Sequence, residues 1–251
     1  MKKFSIIFLI ISVLSIQLAV QAAFENLNDL EITTKAHNAD KEGDYSTALS
    51  YYSEVLRRDP DNYAAYNMRG MIYLEQYNNY TQALNDFSSA IKYGSPNSGN
   101  YTFRGFTRMK LGDLDGSISD LTKAISINNQ NKTPDAFAYC TRALVYSMKQ
   151  EHKLSIEDAT VSIKLQPKNP EAYQFRGLSK VLLYSKQHSS MDLQSALEGV
   201  QSGLNDINYA KEQFLQGVDM EGYQGAIEAY KATQNIINTI QREISKRSAN
   251  N

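Results

Sequence analysis

Cysteine occurs once in 251 residues and tryptophan not at all. The single thiol, Cys140, cannot close an intramolecular disulfide, so packing has to hold this chain in shape. It either stays free and half-buried or pairs with another molecule. Charge of one sign is also lacking: formal net charge is −1. No basic field recruits nucleic acid and no acidic tail is present. His37, His152 and His188 stand far apart without cysteine partners, a pattern that builds no metal site. No glycine-rich phosphate loop and no nucleophile motif occurs. These absences point away from an enzyme, from cofactors and from nucleic-acid or metal partners.

Long hydrophobic runs are confined to the first 22 residues. Lys2 and Lys3 precede an apolar stretch from Phe4 to Ile16, and small residues follow at Val20 and Ala22. Charged, apolar and small segments in that order are the layout of a secretory leader over 1–22. The apolar run is short for a span of ~20 residues, which favours cleavage before Ala23 over an uncleaved membrane anchor. No cysteine follows it, so a lipid-anchored N-terminus is excluded. The reading is a periplasmic or secreted protein, touching a membrane only if the leader is retained.

What is abundant is self-similarity. Ala65-Tyr66-Asn67-Met68-Arg69-Gly70 returns as Asn100-Tyr101-Thr102-Phe103-Arg104-Gly105. It returns again as Ala138-Tyr139-Cys140-Thr141-Arg142-Ala143 and as Ala172-Tyr173-Gln174-Phe175-Arg176-Gly177, at spacings of 35, 38 and 34 residues. A second block follows each copy: Ala83-Leu84-Asn85-Asp86-Phe87, Ser117-Ile118-Ser119-Asp120-Leu121, Ser155-Ile156-Glu157-Asp158-Ala159, and Asp192-Leu193 with Ala196-Leu197. Small and apolar residues recur in these blocks at three- and four-residue intervals, as on a helix with one buried face. Leu111-Gly112-Asp113 is a turn, and Thr81 and Asp115 stand where N-caps are wanted. Each unit is therefore helix, turn, helix.

The pattern resembles the tetratricopeptide repeat, on Tyr66, Gly70, Tyr73, Ala83, Phe87 and Ala90 and on Ala48, Tyr52 and Pro60 of an earlier unit. Arg108 and Lys180 stand where the family has a second aromatic, and Ala159 replaces a large residue. The resemblance implies an all-α, right-handed superhelical solenoid. It lays out a lead-in 23–28, five repeats (29–62, 63–97, 98–131, 136–169, 170–203) and, over 204–251, a degenerate sixth repeat with a capping helix. Glu221-Gly222-Tyr223-Gln224-Gly225-Ala226-Ile227 with Tyr230 reads as the turn and second helix of that sixth unit.

Two sets of residues are candidates for a role. Arg69, Arg104, Arg142 and Arg176 are followed by Asp86, Asp120, Asp158 and Asp192 at separations of 17, 16, 16 and 16. They are read as ion pairs tying first helix to second, or alternatively as an arginine ladder for an anionic ligand. The other set is a stripe on the first helices: Asn67, Met71 and Leu74; Thr102, Phe106 and Met109; Cys140, Leu144 and Ser147; Gln174, Leu178 and Val181, with Met148 beside it. The resemblance places this stripe on the concave wall, as a groove for a partner peptide or helix. The competing reading packs it against the next repeat. Phe106→Glu should abolish capture and leave melting unchanged if the groove is open. The expected function is a protein–protein interaction scaffold or adaptor acting outside the cytoplasm. A glycan- or lipid-binding module and a membrane-tethered assembly factor are the alternatives. Tyrosines could stack on sugars, though Tyr66, Tyr101, Tyr139 and Tyr173 are wanted by the core.

Overall fold

A computed structural model describes residues 24–94, 97–187 and 192–249. The leader segment 1–22 and His188 lie outside the described residues. Among these residues there are eleven α-helices and no strand. They are α1 Asp29–Lys41, α2 Tyr45–Arg58, α3 Tyr63–Glu75, α4 Tyr80–Tyr93, α5 Ser98–Lys110, α6 Leu114–Asn131, α7 Ala136–Met148, α8 His152–Leu165, α9 Pro170–Gln187, α10 Leu193–Gln216 and α11 Met220–Ala249. The chain forms two compact units that divide between Asn100 and Tyr101.

Short polar side chains set where the helices begin. Asn28 and Glu31 form a reciprocal capping box on α1, at 2.9 and 2.8 Å. Asp44, Asn62, Asn79, Asp113 and Asp135 each accept a first-turn N–H of the helix that follows. The caps of α4 and α6 are thus Asn79 and Asp113, two residues ahead of the expected Thr81 and Asp115. The reason lies in the turn before them. Gly112 sits at φ +83°, which lets the Asp113 N–H fold back to the Arg108 carbonyl at 2.9 Å. Closing α5 in this way leaves the Asp113 side chain free to start α6 at once.

In the first unit Ile32 and Ala36 of α1, Tyr52, Val55 and Leu56 of α2 and Ala65 and Ile72 of α3 share one core. The lead-in ahead of α1 packs onto this fold. Phe24 is 9% exposed, meets Tyr51 edge-on at 5.2 Å, and its carbonyl accepts from Arg58 Nη2 at 2.7 Å.

In the second unit Met109, Leu121, Ile125, Ala138 and Val145 form one core, and Val181, Val200, Leu204, Ile207, Ile237 and Ile240 another. The fifth repeat departs from the expected layout. Its α9 and α10 are 18 and 24 residues long, and the expected boundary at 203 falls inside α10. The turn between α10 and α11 falls at 217–219, so 221–223 already lie inside α11, one unbroken helix of 30 residues. Ala210 and Phe214 of α10 pack on Ala226 and Tyr223 of α11. Its inner face, Ile237 and Ile240, lies against α9 and α10. Glu221, Gln224, Glu228, Lys231, Asn235 and Asn238 are exposed, so the apolar stack ends there.

Candidate functional site

Each repeat from the second to the fifth is fastened by one aromatic, one guanidinium and one carboxylate. Arg69 gives Nε and Nη2 to Asp86 at 2.8 and 2.7 Å. Arg104 does the same to Asp120 at 2.8 and 2.7 Å, and Arg142 to Asp158 at 2.7 and 2.9 Å. The tyrosine one turn earlier lies beneath each guanidinium, with centroid distances of 5.7, 5.6 and 5.8 Å for Tyr66, Tyr101 and Tyr139. Asp86 is 2% exposed, so this carboxylate needs its planar two-pronged partner. A third nitrogen reaches the preceding repeat: Arg69 Nη1 donates to Ser53 at 3.1 Å, and Arg142 Nη1 to Thr122 at 2.9 Å.

The fifth repeat corrects the expected pairing. Arg176 binds Asp206, at 2.9 and 2.7 Å, and not Asp192. Asp192 is instead the N-cap of α10, accepting the Ser195 N–H at 3.0 Å. The Asp-bearing block here is Gly203-Leu204-Asn205-Asp206-Ile207. Gly177 lies so close to it that an added Cβ would stand 2.7 Å from the Gly203 carbonyl and 2.8 Å from Ile207. The same test at Gly105 gives 2.9 Å to Leu121, and at Gly70 gives 3.1 Å to Phe87. These positions after the arginine are where the two helices touch.

The first-helix stripe divides. Leu74, Thr102 and Met109 are 5%, 2% and 6% exposed and offer nothing to a partner. Phe106 and Leu144 are half-buried against the core formed by Met109, Leu121 and Val145. A glutamate at 106 would unseat that core, so the expectation that it leaves melting unchanged is corrected. Leu178 and Val181 pack in the cluster that α11 completes. Gln174 lies beside α11, its Nε2 3.6 Å from where a Cβ on Gly225 would stand. In the first unit Asn67 Nδ2 donates to Asn100 Oδ1, and Met71 is half-buried. What stays open is Met148, 51% exposed, with Met68 and Leu182 at 39% and 40%. Phe137 is 44% exposed and joins Phe103 and Phe106 at 6.5 and 5.7 Å between ring centroids. Sequence reasoning passed over Phe137. Its signal was there: Phe137, Leu144 and Met148 fall on one face at helical spacing.

Cys140 is free and buried. Burial pushes its thiol up to about 12, the nearby Glu171 carboxylate adds to this, and hydrogen bonding to Asn169 and Ser162 opposes it. Such a group is a small apolar filler, neither nucleophile nor ligand. Asn79-Tyr80-Thr81, Asn100-Tyr101-Thr102 and Asn131-Lys132-Thr133 carry the acceptor pattern for N-glycosylation, but Asn100 is 2% exposed and closed to it. Among the described residues no three His, Cys, Asp or Glu side chains gather as a metal would need.

Two family models, both described as tetratricopeptide repeat, match residues 33–99 and 99–131. The chain is a tetratricopeptide-repeat protein. Human tetratricopeptide repeat protein 13 is 28% identical over 141 residues, covering 55% of this chain and 16% of that relative's length. A crystal structure of YrrB, a TPR protein with an unusual peptide-binding site, superposes with TM-score 0.62 at 17% identity, covering 85% of this chain and 98% of the other. MamA gives 0.59 at 20% identity, with 77% and 95% covered. The structural likenesses establish the helical-repeat fold. In the TPR chain the clamp recurs beyond the matched segment, in the fourth and fifth repeats. Repeats of this family are in general non-catalytic scaffolds for protein–protein interaction.

Proposed function

We propose that this TPR protein is exported through its leader and works as an interaction scaffold, holding a peptide or helix of a partner against the first-helix face of α5 and α7. The observation that carries the reading is exposure: Phe137 and Met148 stand 44% and 51% open on a face whose neighbouring positions are packed. Large apolar side chains left open together mark contact surfaces more often than chance decoration. The arginines do not compete for this role, because each guanidinium is already matched to a carboxylate of its own repeat.

A photo-crosslinking side chain at position 137 or 148 tests the reading in intact cells. Both should give defined protein adducts, whereas the same group at exposed Glu157 on α8 should not. Equal adducts from all three positions, or none from 137 and 148, would rule the face out. Intact mass of the exported protein tests the leader. A chain beginning at Ala23 supports cleavage, and a retained segment 1–22 supports tethering instead. No helix among the described residues is long and apolar enough to cross a membrane.

A further inference from the structure

Four side chains of the second unit, Phe103, Phe106, Lys110 and Phe137, form one contiguous feature apart from the clamps, seated on the core through the half-buried Phe106. Phe137 presents its ring to solvent, with Phe106 and Phe103 at 5.7 and 6.5 Å between centroids. One turn beyond Phe106, the Lys110 ammonium rests 5.3 Å from the Phe106 ring centroid. That contact holds the lysine stem down on the aromatic surface and leaves the charge at its edge. No carboxylate among the described residues forms an ion pair with Lys110. The acid nearest in sequence to Phe137, Asp135, is engaged elsewhere. It accepts the Phe137 N–H at 2.9 Å as cap of α7 and lies 3.5 Å from the Thr102 hydroxyl.

We infer that Phe103, Phe106 and Phe137 receive one bulky apolar side chain of the partner, and that Lys110 selects partners carrying an aspartate or glutamate beside it. The inference rests on the first-helix face being a binding surface and adds its specificity. The rings supply contact area that a Leu or Phe would cover, removing both from water. The ammonium is placed but not neutralised. A carboxylate arriving next to the apolar anchor completes a pair, and a lysine there meets like charge. Preference is set by this difference rather than by total affinity.

The test uses the purified protein and nine-residue synthetic peptides with a central Leu or Phe flanked by Asp, Ser or Lys, with Kd read by fluorescence anisotropy. Asp-flanked peptides should bind tightest and Lys-flanked weakest. Lys110→Glu should reverse that order, by up to about tenfold, since an exposed charge is exchanged for its opposite. Phe137→Ala should weaken every apolar-centred peptide roughly tenfold. Its ring is open enough that helicity and melting should hold, which circular dichroism verifies. An order unaffected by Lys110→Glu overturns the charge selection. Binding unaffected by Phe137→Ala overturns the anchor site. Absence of peptide binding alongside position-specific crosslinks would sink this inference and leave the scaffold reading intact.

Discussion

Arg108 Nη1 lies 3.0 Å from Asp120 Oδ2, so the carboxylate that fastens Arg104 serves a second guanidinium. The fifth repeat repeats the device with Lys180, whose Nζ is 2.8 Å from Asp206. In the second and fourth repeats the same place holds Tyr73 and Tyr146. The two departures from the family's aromatic are therefore not weak spots. Each turns an ion pair into a triad around one nearly buried acid.

Removing that acid should cost more where it has two partners. Asp120→Ala leaves Arg104 without a carboxylate and Arg108 with only Asp113, at 3.5 Å, whereas Asp86→Ala strips the carboxylate from Arg69 alone. Both should destabilise, in the range of about 3–5 kcal/mol for a broken buried pair, with Asp120→Ala the larger. Chemical denaturation gives the comparison. A cycle of Arg104→Ala and Asp120→Ala should show coupling above about 1 kcal/mol, and additivity would abolish the clamp as an energetic unit. Arg108→Tyr, which restores the aromatic, should lie within about 1 kcal/mol of the native protein.

The fourth repeat exchanges volume across its helix contact. Where other repeats oppose a glycine to Phe87, Leu121 or Ile207, this one has Ala143 and Ala159, both fully buried. A methyl has been added on one helix and a large side chain lost on the other. Ala159→Leu alone should overpack the contact by about 1–3 kcal/mol. Ala143→Gly alone should cost about 1 kcal/mol in helix propensity. Together they rebuild the arrangement of the third repeat, so the double variant should be more stable than the sum of the two losses. Strict additivity in thermal unfolding would show that the two positions do not share the space.

How much of this was legible follows from what repetition can encode. Tyr, Arg and a small residue at a near-constant period marked the first helices, because every copy must solve the same close approach. The placement of the fifth carboxylate was not legible. Asp192 and Asp206 are 14 residues apart, about four helical turns, so they carry the same periodic pattern. Which one meets Arg176 is decided by how far α9 runs before it turns back, and periodicity does not report helix length. The groove was half legible for a similar reason. An apolar stripe that packs on the next helix and one that faces solvent have identical spacing. Only the position of α11 shows that Leu178 is covered, and only exposure shows that Phe137 is not.

Glu54 predicts a pH response. It is 6% exposed, accepts from Arg57 at 2.7 and 2.8 Å and from Arg58 at 2.8 Å. These bonds, the Arg57 ones first, hold its carboxyl down to about 2 from an ordinary value near 4.5. A folded value below the unfolded one means the stabilisation is complete above pH 4.5 and disappears as pH falls toward 2. With Arg57 half in solvent, it should amount to roughly 1–2 kcal/mol. Glu54→Gln should be less stable at neutral pH, and its deficit should shrink between pH 4.5 and 2. A deficit independent of pH would show that the carboxylate charge contributes nothing. The same change weakens one anchor of Arg58, which also holds Asp29 and the Phe24 and Leu27 carbonyls at 3.0, 2.7 and 2.8 Å. Amide exchange around residues 24–28 should then quicken with it.

Cys140 separates the two fates open to a lone thiol. With its sulfur buried and its ionisation pushed up to about 12, almost no thiolate exists at pH 8, and the thiolate is the reacting species. Labelling of the native protein by a disulfide reagent at pH 8 should be slower than labelling in denaturant by roughly a thousandfold. Non-reducing electrophoresis of the purified protein should show monomer. Rapid native labelling, or a reducible dimer, would mean that α7 opens readily at this position. Cys140→Ser discriminates further, because it puts a hydroxyl where an apolar filler sat. Destabilisation of about 1–3 kcal/mol with unchanged oligomeric state is the outcome expected of a packing residue.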